Sequence, residues 1–114
     1  MNRRFFLLGA ALGLSAFPAL ADQDPLREAF NALPVLDRRL IQLELQLMEV
    51  YPAEVDAQYG PMTRNGLIEA NELIAARTGG EMHFDLDDPA EIRQYLELMA
   101  REHFMFMYDD GFEG

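Results

Sequence analysis

Five of the six prolines, at 25, 34, 52, 61 and 89, together with the pair Gly79-Gly80, cut the chain into helix-length pieces. Proline lacks an N–H and clashes with the preceding turn, so it starts or stops helices and does not sit inside them. No regular element beyond residue 24 can outrun the gap between two such breaks, and apolar residues at helical spacing fill the gaps. Asp24 is expected to cap a short helix with Pro25 at its first position and Leu26, Ala29, Phe30 and Leu33 on one face, before Pro34. Asp37 is expected to cap a second helix that runs to about Val50 and carries the stripe Leu40, Ile41, Leu45, Leu47 and Met48. A third starts at Pro61, carries Leu67, Ile68, Leu73 and Ile74, and stops at Gly79-Gly80, where positive φ is available. Gly66 inside it is unfavourable by about 1 kcal/mol relative to Ala unless a neighbour packs closely. In Asp88-Pro89-Ala90-Glu91, Asp88 reads as a cap and Glu91 as the partner that completes a capping box. Ile92, Tyr95, Leu96, Met99 and Phe104 then continue a fourth helix. Only Glu81 to Leu86, with alternating apolar and polar residues, predicts a short extended stretch. The fold class is all-α.

Residues 1–21 are an address. Arg3 and Arg4 precede an apolar run from Phe5 to Phe17 and a small-x-small ending, Ala19-Leu20-Ala21, the layout of a secretory signal cleaved between Ala21 and Asp22. Asn2-Arg3-Arg4-Phe5-Phe6-Leu7 resembles the twin-arginine export consensus, with the general route as the alternative. An apolar core of about a dozen residues falls short of the roughly 20 that span a bilayer, so no stable membrane insertion is expected after cleavage. The expected organisation is a signal peptide over 1–21, one helical domain over 22–108 and a frayed acidic tail over 109–114, with the product in the periplasm.

Removing 21 of 114 residues leaves 93, takes two of nine arginines and no acids, and moves the formal charge from −11 to −13. Nucleic acid is excluded as a partner, because phosphate binding needs clustered cations. The chain contains no lysine and no cysteine, which rules out Schiff-base and thiolate chemistry and disulfides. Ser15 is the one serine and lies in the signal, leaving Thr63 and Thr78 as the hydroxyl candidates, so acyl-transfer catalysis is not expected. The chain reads as a non-enzyme, and no cofactor is implied.

Between the second and third helices, Tyr51 to Gly60 form a loop long for a helical hairpin, a length usually organised by function or by its own packing. Val55 is an apolar plug in it. Asp56 can accept backbone N–H groups in a turn, Gly60 allows a tight bend, Pro61 starts the helix, and Thr63 can bond back into the loop. These residues equally suit a purely structural role. The stretch Arg39 to Leu47, then Tyr51, then Val55-Asp56-Ala57-Gln58-Tyr59-Gly60-Pro61-Met62-Thr63-Arg64-Asn65-Gly66-Leu67, resembles a peptidoglycan-binding-like domain. That family pairs Ile-Gln-x-x-Leu with a downstream Tyr and Val-Asp-Gly-x-x-Gly-Pro-x-Thr. Ala57 stands where the family usually has Gly. The resemblance covers about residues 36–78 and implies a small three-helix peptidoglycan-binding-like core, here with an additional C-terminal helix. It also implies a ligand groove lined by Tyr51, Tyr59, Thr63 and Asn65 and shaped by Asp56 and Gly60, with peptidoglycan as the ligand.

Two other readings compete. The fold could serve an envelope protein partner without glycan binding, a reading favoured by the negative charge, since the wall polymer is itself anionic. His83, His103, Met82, Met99, Met105 and Met107 could offer imidazole and thioether to copper, although Met and Phe at helical spacing more often fill cores.

Overall fold

The computed structural model describes residues 24–105; the expected signal segment over 1–21 with its expected cleavage after Ala21, Met107 and the expected tail over 109–114 lie outside them. Among the described residues, four helices form an all-α fold: α1 (Pro25–Asn31), α2 (Val35–Leu47), α3 (Pro61–Arg77) and α4 (Pro89–Ala100). No helix among the described residues is long and apolar enough to cross a membrane.

The three proline starts behave as local chemistry dictates. Asp24 accepts the Leu26 N–H at 3.1 Å and Asp88 accepts the Ala90 N–H at 3.0 Å, each ahead of a proline at the first helical position. The second helix departs from expectation at both ends. It begins at Val35, because the extended Pro34 already offers its carbonyl to the Arg38 N–H at 3.1 Å, and Asp37 falls inside the first turn. It ends at Leu47, short of the expected Val50, because Glu49 with φ of 65° reverses the chain and Val50 N–H bonds back to the Leu45 carbonyl. Gly79 and Gly80, with φ of 63° and 87°, close α3 as expected. Glu91 does not complete a capping box with Asp88; its carboxylate accepts the Asp85 N–H at 2.8 Å and ties down the preceding turn.

The C-terminal helix is a member of the core. It packs against α1 and α2, while α2 packs against α3. Ile92, Tyr95, Leu96 and Met99 from α4 are buried with Leu26 and Phe30 of α1, Ile41 and Leu45 of α2, and Leu67 and Ile74 of α3. The fourth helix stops at Ala100, short of the expected Phe104, because Glu102 turns left-handed at φ 60°. That turn folds Phe104 back into the interior, where its ring meets Tyr95 and Phe84 at 6.3 Å. Met99 is fully buried, whereas His103 is exposed with its ring edge-on to Phe104. Burial pushes the Tyr95 hydroxyl pKa up, and the group stays protonated and donates to the Leu67 carbonyl at 2.6 Å.

The segment 81–86, expected to be extended, forms no strand or bridge among the described residues. The side-chain amide of Asn71, buried on α3, takes the strand's place, donating to the Phe84 carbonyl at 2.8 Å and accepting the Phe84 N–H at 3.0 Å.

Gly66 lets α3 pack closely on the chain that leaves α2. A Cβ there would lie 3.0 Å from the Val50 carbonyl oxygen and 3.3 Å from Leu45 Cδ1. Val50 is buried and its N–H is bonded to Leu45, so the obstructing oxygen cannot swing aside. Gly66→Ala is therefore expected to lower stability by about 1–2 kcal/mol, overpacking exceeding the helix-propensity gain. Denaturant unfolding checks this, and a more stable variant would contradict the packing account.

Candidate functional site

The loop between α2 and α3 is organised by one buried amide. Gln42 sits in the apolar stripe of α2 beside Ile41, with none of its surface exposed. Its Oε1 accepts two successive backbone N–H groups, from Asp56 at 2.9 Å and Ala57 at 2.8 Å. Its Nε2 donates to the Gln58 carbonyl at 3.0 Å, to Thr63 Oγ1 at 3.1 Å and to Asp56 Oδ1 at 3.2 Å. One side chain thus satisfies backbone groups of an irregular segment that would otherwise be lost to burial. Arg38 adds a second tie, from Nε to the Leu33 carbonyl at 3.0 Å and from Nη1 to the Ala57 carbonyl at 3.1 Å. Gln46 adds a third, to the Ala53 carbonyl at 2.7 Å.

The tight bend of the loop falls at Ala57. Its φ is 65°, the left-handed region, and its methyl is buried. Gly60, expected to supply the bend, is extended at φ −148° and caps α3 with no side-chain hydrogen bond, and a Cβ on it would meet nothing within 4 Å. The reason is the position of Gln42: reaching both the Asp56 and Ala57 N–H groups with one oxygen requires the chain to turn between them.

The six residues expected to form the groove divide between two adjoining clefts that share Gly60 and Pro61 as a wall. One, of about 350 Å³, is lined by Tyr51, Asp56, Gly60 and Thr63, with Gln58 and Met62 at its edge. Tyr51 and Thr63 there are buried and spend their polar atoms internally. The Tyr51 hydroxyl donates to the Glu54 carbonyl at 2.7 Å, and Thr63 Oγ1 donates to the Gln58 carbonyl at 3.3 Å. The other cleft, of about 310 Å³, is lined by Tyr59, Gly60 and Asn65 together with Asp24, Arg27 and Arg64. The Tyr59 hydroxyl donates to Asp24 Oδ2 at 2.9 Å, the Arg64 Nε lies 3.4 Å from the same oxygen, and the Tyr59 ring rests tilted on Phe30 at 5.6 Å. Burial, and then the bond to Asp24, push the Tyr59 hydroxyl pKa well up, so it acts as a donor and not as a base. Neither cleft presents a free hydroxyl nucleophile, and Thr78 bonds to the Ile74 carbonyl at 2.8 Å.

No family model, characterised protein or solved structure shows significant similarity to the chain. The site must be read from its own geometry.

Asp24, Arg27 and Gln42 are not among the site residues that the sequence suggests. Gln42 carries a signal, its place in the Ile-Gln motif and as an amide between apolar neighbours on a helix. Asp24 reads only as a helix cap and Arg27 carries no signal, since their place in the cleft depends on α1 folding back towards the loop.

Asp56 is exposed, and its pKa lies below the ordinary carboxylate value because the Gln58 N–H and then the Gln42 amide bond to its ionised form. The folded chain favours the carboxylate more than the unfolded chain does. Its stabilisation is complete above the unfolded value, near pH 4, and is lost as pH falls through the lower folded value. Gln42→Ala, which strands the Asp56 and Ala57 N–H groups, is expected to cost about 3 kcal/mol in denaturant unfolding. Gln42→Glu should also be destabilised at neutral pH, since the new carboxylate would face that of Asp56. The gap to the wild-type protein should narrow below about pH 5 as the new carboxyl is protonated and regains a donor; a pH-independent gap would contradict the lock.

Proposed function

We propose that the protein is an exported, non-catalytic module that binds peptidoglycan in the periplasm. The reading rests on the resemblance over residues 36–78 and on one structural observation. Asp56 and Thr63, polar residues of the resembling stretch, each come within 3.2 Å of the Gln42 amide of the same stretch, and the three hold the intervening loop against the start of α3. A loop held in this way is a preformed surface, so binding loses little chain entropy. Asn65, Gln58, Met62 and part of Tyr59 stay accessible beside Gly60 and Pro61. They offer an aromatic edge, amides and an apolar contact, the chemistry by which uncharged sugar and peptide groups are held. With Thr63 and Tyr51 internally bonded, they shape the clefts and do not contact the ligand directly.

A second reading has its own observation. Leu36, Leu43 and Leu47 remain 65%, 41% and 46% exposed along one face of α2, away from both clefts, a stripe suited to an envelope protein partner.

Sedimentation with insoluble sacculi over a salt series separates the two. Retention is expected, weakened by Asn65→Ala and Tyr59→Ala and unaffected by Leu43→Glu combined with Leu47→Glu. No retention at any salt concentration sinks the wall reading and leaves the partner reading standing. For export, Arg3→Lys with Arg4→Lys is expected to hold the precursor in the cytoplasm, and normal export of that variant would point to the general route.

A further inference from the structure

The cleft beside the α2–α3 loop has a single charged side chain in its lining, Asp56, among walls formed by Tyr51, Ala53, Pro61 and Met62. Asp56 is fixed in orientation from one side. Its Oδ1 accepts the Gln58 N–H at 2.9 Å and the Gln42 amide at 3.2 Å, and both donors are neutral. No hydrogen bond or ion pair among the described residues engages its Oδ2. Arg38, whose Nη1 reaches the carbonyl of the neighbouring Ala57, spends its Nε on the Leu33 carbonyl and forms no ion pair with Asp56. The carboxylate of the adjoining cleft makes the contrast, since Asp24 Oδ2 takes the Tyr59 hydroxyl at 2.9 Å and lies 3.4 Å from Arg64 Nε. Asp56 is thus an oriented, ionised group with one open oxygen and no cation beside it, at the edge of an apolar cleft.

We infer that this cleft binds a primary ammonium group carried on a chain of small apolar residues, with Asp56 Oδ2 as its acceptor. The inference deepens the wall-binding reading and rests on it for the source, the amino group of a diamino acid among the alanines of a wall stem peptide. Geometry favours ammonium over guanidinium. The planar fork of a guanidinium is matched by two open carboxylate oxygens, and Oδ1 already takes two donors; an ammonium needs one oxygen only. The bond formed is charge-assisted, and because Oδ1 is locked, little side-chain freedom is lost when the ligand arrives. A cleft of about 350 Å³ lies at the small end of ligand sites, which suits methyl-sized neighbours packed on Pro61 and Met62. The arrangement also answers the difficulty raised by the acidic chain. A protein with 20 acids and nine arginines repels the carboxylates and phosphates of the wall and attracts its ammonium groups.

The test uses three probes with the purified exported protein: soluble muropeptides with free amino groups, the same muropeptides with those groups acetylated, and an alanine-rich peptide unrelated to the wall, blocked at both ends and carrying one lysine. Free muropeptides are expected to bind in a calorimetric or NMR titration, and acetylation should weaken binding roughly tenfold or more. Asp56→Asn keeps an Oδ1 acceptor for Gln58 and Gln42 and removes the charge. It should weaken binding of the free muropeptide to a similar degree and abolish the difference between free and acetylated forms. Glu69→Gln, which removes an exposed acid of α3 outside both clefts, should leave that difference in place. Circular dichroism shows that each variant is folded, and the acetylation comparison in the wild-type protein stands without any variant. Equal binding of free and acetylated muropeptides, or a difference that persists in Asp56→Asn, overturns the ammonium site and leaves the wall reading intact. No binding to muropeptides or sacculi, with Asp56-dependent binding of the lysine peptide, keeps the ammonium site and overturns the wall reading. Absence of binding to all three probes and to sacculi overturns both.

Discussion

The amide of Gln42 is the interaction on which the arrangement of the clefts depends. It lies between three parts of the chain that are separate in sequence: its own helix, the bend at Asp56 and Ala57, and the first turn of α3 at Thr63. The Gln42 amide is fully buried and the Ala57 N–H that it meets is buried with it, so these polar groups need partners within the fold. By satisfying two N–H groups and a carbonyl at once, Gln42 sets the path by which the chain leaves α2 and enters α3. Everything downstream of that path follows: Gly66 can approach Val50, the Tyr59 ring reaches Phe30, and its hydroxyl reaches Asp24.

The apolar interior is assembled around this polar point and not independently of it. α4 supplies the largest buried side chain, Tyr95, which stacks on Phe84 at 4.9 Å and bonds to the Leu67 carbonyl. The same helix also touches α1, so the position of Asp24 at the cleft is fixed from the far side of the molecule. α1 has seven residues, too few to be stable in isolation, and it persists because Leu26 and Phe30 are buried. A cleft wall has thus been built from an element that exists only through its packing.

The helices were legible in the sequence because their signals are local. Asp24 before Pro25, Asp88 before Pro89 and the Gly79-Gly80 stop each act within a few residues of the chain, and each appears in the structure where the pattern put it. The misplacements have a common cause. Glu49, Ala57 and Glu102 all take left-handed backbone without being glycine. Sequence patterns assign such turns to glycine or proline, and so predict α2 to about Val50, α4 through Phe104 and the bend at Gly60. In each case a buried group drives the turn: the Leu45 carbonyl bonded to Val50, the Gln42 oxygen and the Phe104 ring. Site residues divide in the same way. Tyr59, Gly60 and Asn65 could be placed near one another by spacing, whereas the pairing of Tyr59 with Asp24 spans 35 residues and depends on the whole fold.

The treatment of Phe84 matters beyond the packing of one ring. Its segment alternates in the manner of a strand, and a strand lacking a neighbour presents a row of open N–H and C=O groups that another copy can extend. Here both backbone groups of Phe84 are taken by the Asn71 side chain, the His83 ring lies 3.0 Å from Glu72, and the Asp85 N–H is held by Glu91. The Met82 N–H is likewise taken by Thr78 Oγ1, so backbone groups on three of these residues are tied to side chains of the flanking helix ends and turns. A ladder for another chain to extend is thus interrupted at Phe84, in the middle of the most strand-like stretch of this acidic helical protein.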